Sequence, residues 1–190
     1  QPVNILVELA STIPGSDPAA QLEDMLATAF EAGDLAEAVV ATSGAQRRKL
    51  WAMREAAAEI TFTQPVLVDT DVALPLDRLE AWLARMSVRL AAIDPEAEEL
   101  VVAHLGDGNI HYTAYPGRDD PAHLEAIRAA VAEEAVAMGG SFSAEHGVGL
   151  SKRATMAAHK DPVALDVMRA IKAALDPAGI LNPGKTIPDA

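Results

Sequence analysis

The stretch His104-Leu105-Gly106-Asp107-Gly108-Asn109-Ile110-His111 places two histidines on either side of a glycine-rich turn. Asp-Gly favours a two-residue type I′ turn, which predicts a β-hairpin pairing Gly106 with Asn109, Leu105 with Ile110 and His104 with His111. Opposed residues of a hairpin share a face, with Cβ atoms about 4.5–5.5 Å apart. Two imidazoles so placed can share a divalent metal, and a third ligand would complete an open catalytic site. A hairpin with two half-buried or solvated histidines is the competing reading. Further along, Ser141-Phe142-Ser143-Ala144-Glu145-His146-Gly147-Val148-Gly149 sets a carboxylate beside an imidazole in a segment of small residues. Its glycines allow the backbone to approach a ligand closely. Glu145 offers a hard oxygen ligand, and His146 a general base near neutral pH. Taken alone, this segment reads rather as a polar loop with a helix N-cap.

Arg54 follows Trp51 on a predicted helix, so the two share a face. A guanidinium beside an aromatic wall suits a carboxylate ligand, although a solvated helix arginine is common. His123 and His159 fall in ordinary helical patterns and are expected at the surface.

These residues need elements to hold them. Val3 to Leu9 and Ala38 to Ala41 read as strands, and Pro65 to Ala73 as a third, halted by Pro75. Leu22, Met25, Leu26, Ala29 and Phe30 recur at helical spacing before Gly33, and Ser43 caps a helix carrying Leu50, Met53, Ala57 and Ile60. Leu76, Leu79, Trp82, Leu83, Met86 and Leu90 form the clearest apolar helical stripe. The predicted hairpin strands run from Glu99 to Leu105 and from Asn109 to Tyr115. Helices follow from Pro121 to Gly139-Gly140 and from Pro162 to Leu175, and Asp176 begins an extended arm. No repeat, linker or internal boundary is evident. The expectation is one α+β domain, an antiparallel sheet with helices packed on one face, spanning residues 1–175 with an arm at 176–190.

The composition narrows the function. The 190 residues carry 15 Lys+Arg against 28 Asp+Glu, a net charge of −13, with half of the residues hydrophobic and no cysteine. Disulfide scaffolds, thiolate metal sites and cysteine nucleophiles are excluded. So strong an acidity argues against a nucleic-acid partner. No apolar run reaches the roughly 18–20 residues that span a bilayer, and no signal peptide is visible, so a cytoplasmic location is expected. The sequence opens on Gln1 in mid-pattern, which suggests a piece of something larger. GxGxxG opening a helix, GxxxxGK[ST], GxSxG and HExxH are all missing, and Gly106-Asp107-Gly108 precedes a strand, so no nucleotide-binding loop is recognised.

The two histidine-bearing segments, together with Asp176-Pro177-Ala178-Gly179-Ile180-Leu181-Asn182-Pro183-Gly184-Lys185, resemble the signature blocks of a known family. Trp51-Ala52-Met53-Arg54-Glu55 and Asp71-Val72-Ala73-Leu74-Pro75 are similar to two further blocks in the same order. The resemblance, over essentially the whole chain, is to the C-terminal domain of FAD-linked oxidases of the D-lactate, glycolate and D-2-hydroxyglutarate dehydrogenase type, among the vanillyl-alcohol-oxidase-like flavoproteins. It implies a substrate-binding cap with a ferredoxin-like sheet, partnered by an FAD-binding domain of the same parent chain. By that resemblance His104, His111 and Glu145 would ligate a divalent metal, zinc or manganese, that holds a small 2-hydroxy-acid substrate. His146 would take the hydroxyl proton while the C2 hydride passes to FAD. Arg54, Asn109 and Thr113 would bind substrate, and Asn182 in the returning arm would lie near the flavin.

The sequence departs from the hydroxyglutarate-type pattern at Ala58, Asp69 and Thr113, where that group has Thr, Lys and Asn. Replacing a cation by an anion along a dicarboxylate's path points to a monocarboxylate such as lactate, glycolate or a longer hydroxy acid. The chain alone is expected to be inactive, because it holds no hydride acceptor. Two other readings remain at this level: a non-catalytic assembly domain whose partner carries the flavin, and a metal-dependent hydrolase built on the same residues. Apolar surface is expected where a flavin domain would dock, which leaves self-association as a homodimer open.

Overall fold

The computed structural model describes residues 3–189. Their order is α1 (Pro18–Ala32), α2 (Gly44–Glu55), α3 (Ala57–Ile60), β1 (Val68–Ala73), a 3-10 turn (Leu76–Arg78), α4 (Leu79–Ile93), β2 (Glu98–His104), β3 (Asn109–Tyr115), α5 (Pro121–Ala137), α6 (Arg153–His159) and α7 (Pro162–Leu175). The chain divides into two compact units, Gln1–Ala57 and Ala58–Ala190. No change of composition marks that division.

In the first unit, local chemistry sets the helix ends. The Asp17 carboxylate accepts the backbone N–H groups of Ala19 and Ala20, Pro18 starts α1, and Gly33 in the left-handed region stops it. Ser43 accepts the N–H of Gln46, whose side-chain oxygen in turn accepts the N–H of Thr42 at 2.8 Å. The strands expected over 3–9 and 38–41 do not form. Their β-branched composition favours extended backbone, but a strand also needs a partner for its polar groups, and neither segment pairs with one. Instead the Glu8 carboxylate accepts hydrogen bonds from Arg47 Nη2 at 2.6 Å, from Arg47 Nε at 3.0 Å and from Trp51 Nε1.

The second unit holds an antiparallel sheet in the order β1-β3-β2. The registers Val68↔Ala114, Thr70↔Tyr112 and Val72↔Ile110 place these residues on one face, joined there by Val101 and Ala103 of β2. That face packs against Trp82, Met86 and Leu90 of α4 and Ile127, Val131 and Ala135 of α5. Trp82 meets Tyr112 edge-on, with ring centroids 5.5 Å apart, and both are fully buried. The α4 stripe is therefore the core element that its sequence predicts, except that Leu76 falls in the 3-10 turn and stays exposed. Beyond β1, Ser141 forms a single antiparallel bridge with Ala73. A fourth strand of a ferredoxin-like sheet would run at that edge, and here it is reduced to one residue pair. The architecture is α+β, with α4 and α5 on one sheet face.

His123 is buried, contrary to the surface position expected for it. Its Nε2 lies 2.8 Å from Asp94 Oδ2, and Asp94 also accepts the backbone N–H groups of Glu96 and Gly117. The β2 approach and the β3 exit are thereby tied to the start of α5. The His123 hydrogen bond, aided by the two amides, holds the Asp94 carboxyl below its ordinary value of 3.8 against the opposing effect of burial. A depressed carboxyl contributes stability that is fully present above its unfolded-state value and is lost as pH falls through the lowered one. Asp94→Asn should therefore destabilise the protein by about 2 kcal/mol at pH 7. In urea unfolding, the gap from wild type should close as pH falls below about 4.

Candidate functional site

The sheet's other face is polar and carries the chemistry. His111 lies directly opposite Asp71 of β1 and Val102 of β2, and Thr113 lies opposite Asp69. The hairpin itself differs from the expected two-residue turn: Leu105 to Gly108 connect the strands, so His104 pairs with Asn109 rather than with His111. A type I′ turn requires positive φ at both central residues, whereas only Gly108 adopts it, at +78°. Asp107 instead accepts the backbone N–H of Asn109 at 3.1 Å, an Asx turn. The register is displaced by an even number of residues, so both histidines keep their common face. Their ring centroids are 5.7 Å apart.

The segment after Ser141 supplies the third member. His104, His111 and Glu145 each present a ligand atom within 4.8 Å of the others, with His111 Nε2 and Glu145 Oε1 3.1 Å apart. Two imidazoles and a carboxylate form a donor set suited to zinc or manganese, with room for exogenous oxygen ligands. His146 stands beside them, its ring centroid 5.1 Å from that of His111. His146 Nδ1 faces Asp71 Oδ1 at 3.6 Å, and its Nε2 is 3.8 Å from Glu145 Oε1.

Asp71 organises this loop. Its fully buried carboxylate accepts three successive backbone N–H groups, those of Ala144, Glu145 and His146, at 3.1, 2.8 and 2.8 Å. Lys152 Nζ bonds the other carboxylate oxygen and also donates to Ser143 Oγ at 2.9 Å. Burial pushes the Lys152 ammonium down to about 8, while the charge of Asp69 opposes the shift. The ion pair with Asp71 also favours the charged form. Sequence reasoning passed over both residues in this role. The available signal was the Asp69, Asp71 alternation within an otherwise apolar strand.

The remaining candidates fall in several places. Asn109 is buried, and its side-chain oxygen has no partner among the described residues. Thr113 is buried and donates to Asp69 at 3.0 Å. Asn182 is exposed, at a positive φ of 47°, in the arm after α7. Asp176 shapes that arm by accepting the N–H groups of Ile180 and Leu181 and the Lys172 ammonium. Arg54 belongs to the first unit. There it lines a concavity of about 410 Å³ with Leu6, Glu8, Ala10 and Trp51, so the shared face expected of Trp51 and Arg54 is present.

The model of the FAD linked oxidases, C-terminal domain, matches residues 1–186. The chain belongs to this family. It is similar to a bovine protein named D-2-hydroxyglutarate dehydrogenase, mitochondrial, with 36% identity over 98% of this chain and 34% of that protein. A protein of Stutzerimonas stutzeri named D-2-hydroxyglutarate dehydrogenase is 32% identical over 86% of the chain and 37% of its own length. A zebrafish protein named probable D-lactate dehydrogenase, mitochondrial, is 34% identical over 62% of the chain and 24% of its own length. The chain thus spans about a third of the length of the relatives it matches most fully. Among its described residues, no helix is long and apolar enough to cross a membrane. The expected cytoplasmic location is not shared by those relatives whose names place them in mitochondria.

In this FAD-linked oxidase domain, the turn glycines bracket the site. At Gly108, a Cβ would meet the backbone oxygen of Leu74 at 2.1 Å, whereas at Gly147 (φ +73°) it would meet nothing within 4 Å. Gly147→Ala should therefore cost about 1 kcal/mol, from backbone strain alone. Gly108→Ala adds a steric clash to the same strain and should lower the thermal midpoint distinctly further, as calorimetry of the two variants would show.

Proposed function

We propose that this domain is the substrate-binding part of an FAD-dependent dehydrogenase that oxidises a 2-hydroxy acid to a 2-oxo acid. The observation carrying this reading is the convergence of His104, His111 and Glu145, with His146 alongside, on the polar sheet face of a chain of this family. FAD, bound mainly by the remainder of a longer chain, supplies the hydride acceptor. A divalent cation held by His104, His111 and Glu145 supplies Lewis acidity toward the substrate's hydroxyl and carboxylate oxygens. His146, with Nδ1 turned to Asp71, takes the hydroxyl proton at Nε2. Asn109, whose side-chain oxygen is without a partner among the described residues, orients the substrate beside the hairpin. Thr113 lines the same face, Arg54 pairs with the substrate carboxylate, and Asn182 approaches the flavin.

The partners in this reading are the small 2-hydroxy acid and the flavin-binding domain. Val163, Val167, Ile171 and Leu175 are exposed along one side of α7 and offer apolar surface for such docking. The substrate class follows from charge. Asp69, bonded to Thr113, adds an anion to the face that carries the site, which disfavours a second carboxylate. The substrate assigned is therefore a monocarboxylate.

Calorimetric titration of the full-length parent with zinc or manganese should show one site that is lost in His111→Ala and retained in His159→Ala. Absence of binding in the wild type would remove the metal from this reading. In steady-state assays, kcat/KM should favour lactate-like or glycolate-like acids over 2-hydroxyglutarate. Asp69→Lys should shift that ratio toward the dicarboxylate by roughly tenfold or more, the scale of one gained charge-assisted hydrogen bond. An initial preference for 2-hydroxyglutarate would overturn the assignment to a monocarboxylate.

A further inference from the structure

Asp71 is a tightly held polar group of the second unit. It sits on an edge strand directly opposite His111, is wholly excluded from solvent, and is bound by three consecutive amides of the segment that carries Glu145 and His146. An ionised carboxylate in such a place survives only when paired and hydrogen-bonded. Lys152 provides the counter-charge and reaches on to Ser143, whose hydroxyl donates to the Gly147 carbonyl at 2.9 Å. The loop from Ser143 to Gly147 is thus held at both ends. Ala144, Glu145, His146 and Gly147 are themselves exposed, so apolar burial does not fix this loop.

From this geometry we infer that Asp71, neutralised by Lys152, is a positioning residue that holds Glu145 and His146 against His104 and His111. The role rests on the function proposed above, because it concerns the same site. Asp71 touches no substrate in this scheme. It acts through the backbone of residues 144–146, so an amide in its place cannot substitute: the anion is lost, and the NH2 group would face either Lys152 or the loop donors.

The test uses the full-length parent with Asp71→Asn, Lys152→Met and the double variant. Amide hydrogen exchange should accelerate about tenfold or more at residues 144–146 in Asp71→Asn, equivalent to losing roughly one net hydrogen bond. Val72 and Tyr112, in the strands beneath, should stay protected. Zinc affinity should fall roughly 10- to 100-fold although every ligand is intact, the scale of lost outer-shell support. The double variant, which removes the unpaired ammonium, should regain thermal stability without regaining loop protection. It also serves if Asp71→Asn alone fails to fold.

Recovery of loop protection in the double variant would make Asp71 no more than the counter-ion of Lys152, and would overturn the inference. Unchanged exchange at 144–146, acceleration spread equally over the strands, or unchanged zinc affinity would do the same. A wild type that neither binds zinc nor oxidises 2-hydroxy acids would sink the proposed function instead. The exchange measurement would still decide whether Asp71 holds the loop.

Discussion

The site in this domain depends on a carboxylate removed from water. Moving an isolated ionised carboxylate into a protein interior is costly, and Asp71 offsets that cost with three backbone amides and an ammonium group. The consequence is architectural. A loop of small residues, with little side-chain mass to bury, gains a fixed position over the sheet because its own N–H groups are what the buried anion requires. Glu145 and His146 inherit that position.

The sheet supplies the other half by keeping its two faces chemically distinct. Val68, Val72, Ile110, Tyr112 and Ala114 turn toward α4 and α5, while Asp69, Asp71, Asn109, His111 and Thr113 share the opposite face. Strand periodicity makes this segregation automatic once the register has the right parity. The hairpin differs from its expected turn and still presents both histidines together, because displacement by an even number of positions leaves each side chain on its original face.

The chain belongs to the FAD-linked oxidase C-terminal family, and the bovine relative extends over about two thirds of its own length beyond the part that this chain matches. The division of labour follows from what is present. This domain offers metal-type ligands, a candidate proton acceptor and buried polar anchors, all suited to holding and deprotonating a small oxygen-rich substrate. In the proposed reading, the electron acceptor would belong to the flavin side. In that reading, substrate choice among 2-hydroxy acids would rest on the charges around the site, with Asp69 foremost.

Much of this was legible in the sequence by itself. The α4 stripe, the pairing of β2 with β3, the caps at Ser43 and Gly33 and the spans of α5 and α7 all follow from periodicity and capping chemistry. Each of these signals is local, and the tertiary structure agrees with it. Tertiary structure alone decided what depends on partners distant in the chain. The extended segments at 3–9 and 38–41 found no strand to pair with, and His123 went inside because Asp94 was there to bond it. The chain separated into two units without a linker to announce them. Above all, the role of Asp71 is invisible in its own neighbourhood, because three of its partners are backbone groups, which carry no sequence signature, and the fourth is a lysine from a distant loop.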